Sequence, residues 1–250
     1  MPLFFTILIA SFIVSLIALI GVVLLILKSD IARRFSLYFI SFAAGALLGA
    51  TFFEILPEAF ATGIKVPDIL LYVLFGILAF FILEKLFIWY HCHGETCVAH
   101  RQQSAPLILI GDIVHNFVDG IIIALAFLVD INLGIITTVV VIFHEIPQEI
   151  GDFSILIFGG MTKAKALTWN FITALSVVAG ATITYFLSDF FNGIIGILLA
   201  LIAGHFIYIA TADLIPELHK ETRFRVSFIQ ISLLSLGVFI IWIMGKILSY

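Results

Sequence analysis

Nine acidic, amide and imidazole side chains lie well inside two otherwise apolar stretches. Residues 106–129 carry Asp112, His115, Asn116 and Asp119, and residues 131–158 carry His144, Glu145, Gln148, Glu149 and Asp152. Positions 112, 115, 116 and 119 follow the i, i+3, i+4, i+7 rule, so they share one face of a helix. His144, Gln148 and Asp152 recur every four residues, with Glu145 and Glu149 one position round, giving a second polar face. Neither stretch contains Lys or Arg, so the missing positive charge must come from protons or a bound metal. Two facing helices would bring imidazole nitrogens and carboxylate oxygens to a common point, a mixture suited to zinc and its first-row neighbours. Pro147 cannot donate a backbone hydrogen bond and crowds the carbonyl of Phe143, predicting a kink with a freed carbonyl. Gly120 and Gly151 flank the two faces and predict close helix approach there.

The rest of the chain determines what holds these faces. Of 250 residues, 63% are hydrophobic and 11% charged, against about 45–50% and about 25% for soluble domains. Mean hydropathy is +1.26, which excludes a soluble enzyme, a disordered chain or a nucleic-acid binder. Eight apolar runs, at about 3–27, 36–60, 68–90, 106–129, 131–158, 164–187, 190–215 and 226–249, are each long enough to cross a bilayer. Their continuity excludes the short alternating strands of an outer-membrane barrel. His115 is about nine residues into its run and His144 about thirteen into its own, which predicts that both lie near mid-membrane. The first run has no basic residue ahead of it and no small-residue cleavage site, and reads as a retained helix rather than a signal peptide. The expected architecture is an all-α integral membrane protein forming a single transmembrane domain over residues 1–250.

Ten of the twelve Lys and Arg residues fall on alternate loops or helix ends beginning with 28–35, and only Lys65 and Lys246 fall on the other side. The positive-inside rule therefore places both termini outside the cytoplasm. Short loops and no targeting extension suggest a prokaryotic plasma (inner) membrane. Glu54-Ile55-Leu56-Pro57-Glu58 closes the second run and Asp213-Leu214-Ile215-Pro216-Glu217 closes the seventh. Both read acid, two aliphatics, Pro, Glu, on helices of opposite direction. Helices 1–3 and 6–8 are thus expected to be inverted repeats around a central helix 4–5 pair, a common build among transporters.

The two polar stretches resemble a known family. His115-Asn116-Phe117-Val118-Asp119-Gly120 and His144-Glu145-Ile146-Pro147-Gln148-Glu149-Ile150-Gly151-Asp152 resemble the fourth and fifth helices of the ZIP metal transporters. The second resembles the subgroup reading HExPHExGD. The likeness extends to Leu56-Pro57-Glu58, to Leu83-Glu84-Lys85 and to the run from Ala203 to Leu218. It implies eight helices and a binuclear metal centre, with a divalent cation as substrate and no catalytic cofactor. Carried over by position, His115, His144 and Gln148 would line one metal site. Asn116, Asp119, Glu145 and Gln148 would line its neighbour. Glu149 belongs to the same expected ligand set. The chain departs from the pattern at Gln148, where the subgroup has His, at Phe143, where Cys or Glu is frequent, and at Glu54, where many members have His.

Other residues have weaker claims. Glu54 toward the outer end of helix two, with Asp213 and Glu217 toward the inner end of helix seven, would hand a hydrated cation inward. Asp112, Asp152, Asn170 and His205 are further candidates for the metal or its pathway; His205 stands where a small residue is common in the family. The loop 91–105 holds His91, Cys92, His93, Cys97 and His100, read as a cytoplasmic acceptor or sensor whose thiols stay reduced. The expected function is import of divalent cations, Zn2+ first and Fe2+, Mn2+ or Cd2+ as further candidates, by alternating access. Partners would be the bilayer and metal ions, with a homodimer left open. The rivals are a non-transporting metal sensor and an intramembrane metalloprotease. The latter needs H-E-x-x-H, which His144-Glu145-Ile146-Pro147-Gln148 does not supply, so the chain is not expected to be an enzyme.

Overall fold

In the computed structural model, residues 2–20, 29–91, 105–158, 160–191 and 193–248 are described, and every regular element among them is helical. Among the described residues, eight helical spans are long and apolar enough to cross a membrane: α1 Leu3–Ile20, α2 Leu37–Ala61, α3 Val66–Leu86, α4 Leu109–Val129, α5 Ile131–Phe153, α6 Lys163–Phe186, α7 Ile195–His219 and α8 Phe224–Leu248. Helices are the expected outcome, because backbone groups in hydrocarbon must be satisfied within the segment. Burial ranks the spans, with α1 and α6 intermediate at 33% and 39%. In α2, α4, α5 and α7 some 56–61% of the apolar window is buried, against 17% in α3 and α8. The four buried helices therefore form the centre, and α3 and α8 present Leu74, Phe81, Phe239 and Trp242 outward.

A single residue, Asp130, joins α4 to α5. Its Oδ1 accepts from the backbone N–H of Asn132 at 2.8 Å and of Leu133 at 3.1 Å, capping the start of α5. That tight connection makes α4 and α5 an antiparallel pair, so the two polar faces can meet. Asn132 also donates to the Leu248 carbonyl at 2.8 Å, tying the start of α5 to the end of α8. Gly63 and Gly160, with φ of +84° and +92°, supply left-handed turns after α2 and α5 that side-chain-bearing residues rarely adopt.

Helix pairs meet backbone to backbone at glycines. A Cβ on Gly237 of α8 would overlap the Phe42 carbonyl of α2, and one on Gly45 of α2 would overlap the Leu234 carbonyl of α8. Gly76 of α3 and Gly204 of α7 make the same reciprocal contact through the Leu201 and Val73 carbonyls. The two contacts correspond: Gly45 stands nine residues before Glu54, and Gly204 stands nine before Asp213. Pairing of α2 with α8 is thus mirrored by pairing of α7 with α3, as a two-fold exchange of helices 1–3 with 6–8 requires.

The acid-aliphatic-aliphatic-Pro-Glu motifs have matching local structure. A π-helical segment, Thr51–Ile55 in α2 and Ile209–Leu214 in α7, precedes each Pro, and an α-helical turn follows it. The wider π turn already breaks the regular hydrogen-bond ladder, so a residue lacking an N–H is accommodated. This is why the seventh span runs through Pro216 to His219, beyond the end at 215 read from the sequence. Its start lies at Ile195 rather than 190, because the short helix Ser188–Phe191 precedes a turn at Gly193 and Ile194.

Candidate metal centre

Four side chains from the antiparallel α4–α5 pair converge on one point. Each of His115, Asp119, His144 and Glu145 offers a donor atom, and these atoms lie within 4.8 Å of one another. His144 Nε2 is 3.0 Å from Asp119 Oδ2 and 3.4 Å from Glu145 Oε1. His115 Nε2 is 3.2 Å from Glu145 Oε1 and 3.7 Å from Asp119 Oδ2. Donors about 2.0–2.2 Å from a tetrahedral zinc ion stand about 3.3–3.6 Å apart, so this spacing already approximates a coordination shell. His144, Asp119 and Glu145 are buried at 0–1% exposure, whereas His115 keeps 21%.

Local helix geometry orients the donors. His115 and Asp119 are one turn apart on α4. His144 Nδ1 lies 3.3 Å from the Val140 carbonyl one turn back, the kind of outer contact that aims the other ring nitrogen at a metal. His115 Nε2, Asp119 Oδ1 and Glu145 Oε1 are buried without a hydrogen-bond partner. Buried polar atoms are normally paired, and the orphaned His115 Nε2 and Glu145 Oε1, 3.2 Å apart within the cluster, fit a bound cation. Pro147 remains inside a continuous helix, Ile131–Phe158, and cannot donate to the Phe143 carbonyl. Phe143 itself packs edge-on against Phe42 of α2, with centroids 4.5 Å apart.

The other polar residues of the two faces are placed differently. Asn116 donates through Nδ2 to Asp112 Oδ1 at 2.6 Å, while its own Oδ1 is an unpartnered buried atom. Asp112 Oδ2 accepts from the Thr173 hydroxyl of α6. Glu149 Oε2 accepts from the Asn170 amide, also of α6. Asp112 and Glu149 therefore fasten the α4–α5 pair to α6, one on each helix. Gln148 and Asp152 line a cavity instead. Of the two flanking glycines, Gly120 lies against Val177 and Ala181 of α6, but a Cβ on Gly151 would meet nothing within 4 Å. The close approach expected at Gly151 is absent because that side of α5 borders open space.

The cavity, of about 670 Å³, runs from His115 and His144 to Glu84, Asp213 and Glu217. It thus connects the four-residue cluster with the acidic end of α7. The Tyr208 hydroxyl donates to Glu84, linking α7 to α3 beside that acidic end. Glu54 and Glu58 do not line this cavity; the Glu54 carboxylate packs against Gly245 of α8. His205 also faces the cavity, from α7. Thr173, Tyr208 and the stacking partner of His205, Phe80, were not singled out from the sequence, since a Thr, Tyr or Phe in a membrane helix carries no spacing signal. The cluster of His91, Cys92, His93, Cys97 and His100 lies outside the described side chains.

Residues 90–245 match the family described as ZIP Zinc transporter. The chain is similar to zinc transporter ZIP13 of Pongo abelii, 33% identical over 214 residues, which is 80% of this chain and 63% of that protein. It is 29% identical to zinc transporter YKE4 of Saccharomyces cerevisiae over 219 residues, 76% of this chain and 63% of that protein. With zinc transporter ZIP10 of Homo sapiens the identity is 36% over 132 residues, 51% of this chain and 16% of that protein. The chain thus spans less than two thirds of the length of each of these relatives. With the family match covering more than half of its residues, the chain belongs to the ZIP zinc transporter family.

Proposed function

We propose that the protein moves divalent cations, Zn2+ foremost, across a membrane toward the cytoplasm. The observation that carries this reading is the junction of the His115–Asp119–His144–Glu145 cluster with a cavity ending at Glu84, Asp213 and Glu217. Two imidazoles and two carboxylates suit a borderline divalent cation, and the cavity offers it a carboxylate-lined path away from the site. Ten of twelve basic residues lie on the side to which α7 runs, so the cavity opens toward the cytoplasm under the positive-inside rule. The zinc-transporter relatives favour the same substrate.

Alternating access follows from the matched halves. The cavity reaches the end of the bundle that carries Glu84, Asp213 and Glu217, so in this reading the conformation is inward-facing. The outward-facing state arises when the bundle containing one repeat tilts against the other and exposes the cluster toward Glu54 and Glu58. Gln148, on the cavity wall beside His144, and Asn116, with its free Oδ1, are the residues expected to serve a second, neighbouring ion. Influx of zinc and cadmium into proteoliposomes tests the proposal, with the His115→Ala/His144→Ala double variant alongside. Saturable influx that the double variant lacks is expected. Binding without influx in the wild-type protein would favour a sensor.

A further inference from the structure

His205 of α7 is an imidazole with no assigned work. It is 2% exposed, and neither Nδ1 nor Nε2 has a hydrogen-bond partner. An imidazole brings one donor and one acceptor, and leaving both unmade in a buried place is costly. Its ring nevertheless lines the same cavity as His115 and His144. The ring centroids of His115 and His205 are 6.1 Å apart, compared with 5.6 Å for His115 and His144. Two imidazoles sharing a zinc ion through bonds of about 2.0–2.1 Å place their centroids about 5–6 Å apart. His205 is thus about half an ångström farther from His115 than the cluster's own second histidine is, next to the four residues whose donor atoms lie within 4.8 Å of one another but not one of them.

The ring is also held in place. Phe80 of α3 stacks on it with centroids 3.6 Å apart and planes 35° from parallel. The preceding residue, Gly204, sits directly against the backbone of α3 at Val73 and Gly76, so the α7 backbone cannot swing the ring away. A packing histidine has no need of an unsatisfied, rigidly presented nitrogen on the wall of a cation cavity, whereas a ligand needs one free.

We propose that His205 is a third imidazole ligand that the cation takes up on the cavity side of the four-donor cluster, and that it sets preference for borderline cations such as Zn2+ and Cd2+ over the harder Mn2+. This deepens the transport reading and rests on it. Nitrogen donors bind zinc more strongly than manganese, so a third imidazole widens the gap between them. It would also keep a nitrogen on the cation as it leaves the Asp119–Glu145 side for the cavity.

The test is equilibrium binding of Zn2+, Mn2+ and Co2+ to the purified full chain, for the wild type, His205→Ala, His205→Cys and, as a reference, His144→Ala. Loss of His205 should weaken Zn2+ about 10–100-fold while Mn2+ changes by less than about threefold, shrinking the Zn2+/Mn2+ ratio by the difference. His205→Cys keeps a ligand at the position. Its Co2+ complex should gain a thiolate-to-cobalt charge-transfer absorption beyond any that the wild type shows through Cys92 and Cys97. An unchanged ratio in His205→Ala, together with no new absorption in His205→Cys, would overturn the inference and leave the transport reading standing, provided His144→Ala still loses affinity. If the wild type binds none of the three cations, both fall. Should His205→Ala fail to fold, the absorption of the cysteine variant decides alone.

Discussion

Placing a methyl group at Gly120 should damage the metal centre without touching a ligand. Gly120 follows Asp119 in sequence and lies against α6. A Cβ built there falls 2.8 Å from the Ala181 nitrogen and closer still to the Val177 carbonyl oxygen, where ordinary contact begins at 3.4 Å. The obstacle is backbone on both counts; the Ala181 contact alone asks α4 to retreat from α6 by about 0.6 Å, and the Val177 carbonyl asks for more than twice as much. Overpacking of that kind costs about 1–3 kcal/mol. Because metal distances tolerate only about 0.2 Å, carrying Asp119 along also weakens zinc by about 10–100-fold, as losing an outer-shell partner does. Gly151→Ala is the internal control. It borders the other polar face, but its Cβ would meet nothing within 4 Å, and replacing a helical glycine by alanine contributes about 0.5–1 kcal/mol of stability. Thermal unfolding in detergent followed by tryptophan fluorescence, with zinc titration of both variants, makes the comparison. Gly120→Ala should be less stable and bind more weakly, and Gly151→Ala should match or exceed the wild type. Equal behaviour of the two variants would refute the close α4–α6 contact and its coupling to the site.

Three further outcomes follow from single contacts. Gln148→His exchanges a neutral amide oxygen on the cavity wall for an imidazole nitrogen, and titration calorimetry should show tighter zinc binding; an unchanged Kd would remove Gln148 from the ligand set. Asn170→Leu removes the amide that donates to the buried Glu149 carboxylate and should lower stability by about 1.5–3 kcal/mol, measured by denaturant unfolding; no loss would mean that this contact does not fasten α5 to α6. Glu54→Gln, at the end of the bundle away from the cavity, should raise the KM for zinc influx severalfold with little change in kcat, and a KM equal to that of the wild type would leave Glu54 a packing residue against Gly245.

The helical spans and the two polar faces could be read directly from the chain, because apolar runs of membrane length and an i, i+3, i+4, i+7 pattern are properties of sequence alone. His115 and His144 were expected in one metal site and Asp119 and Glu145 in its neighbour, whereas donor atoms of all four lie within 4.8 Å of one another. Which neighbour each polar side chain would find was not legible. Glu145 and Glu149 are one turn apart on one face, yet the first meets His115 and the second meets Asn170 of α6. A face gives a direction, and only the packing of a third helix decides where each turn along it ends up. The glycine pairs show a related limit. Gly45 and Gly204 hold matching positions nine residues before Glu54 and Asp213, but one shared residue so far upstream of a five-residue motif carries no signal until both are seen against a partner backbone. His205 stood out in sequence only as a lone histidine; its unpartnered ring nitrogens and its stacking on Phe80 required coordinates.

The most direct test of the account is to locate the cation. Anomalous diffraction at the zinc edge from zinc-soaked crystals of the full chain should show a peak between α4 and α5, about 2.0–2.2 Å from His115, Asp119, His144 and Glu145. A zinc ion found only in the 91–105 loop or at the carboxylates near the helix ends, with the four central side chains bare, would contradict it.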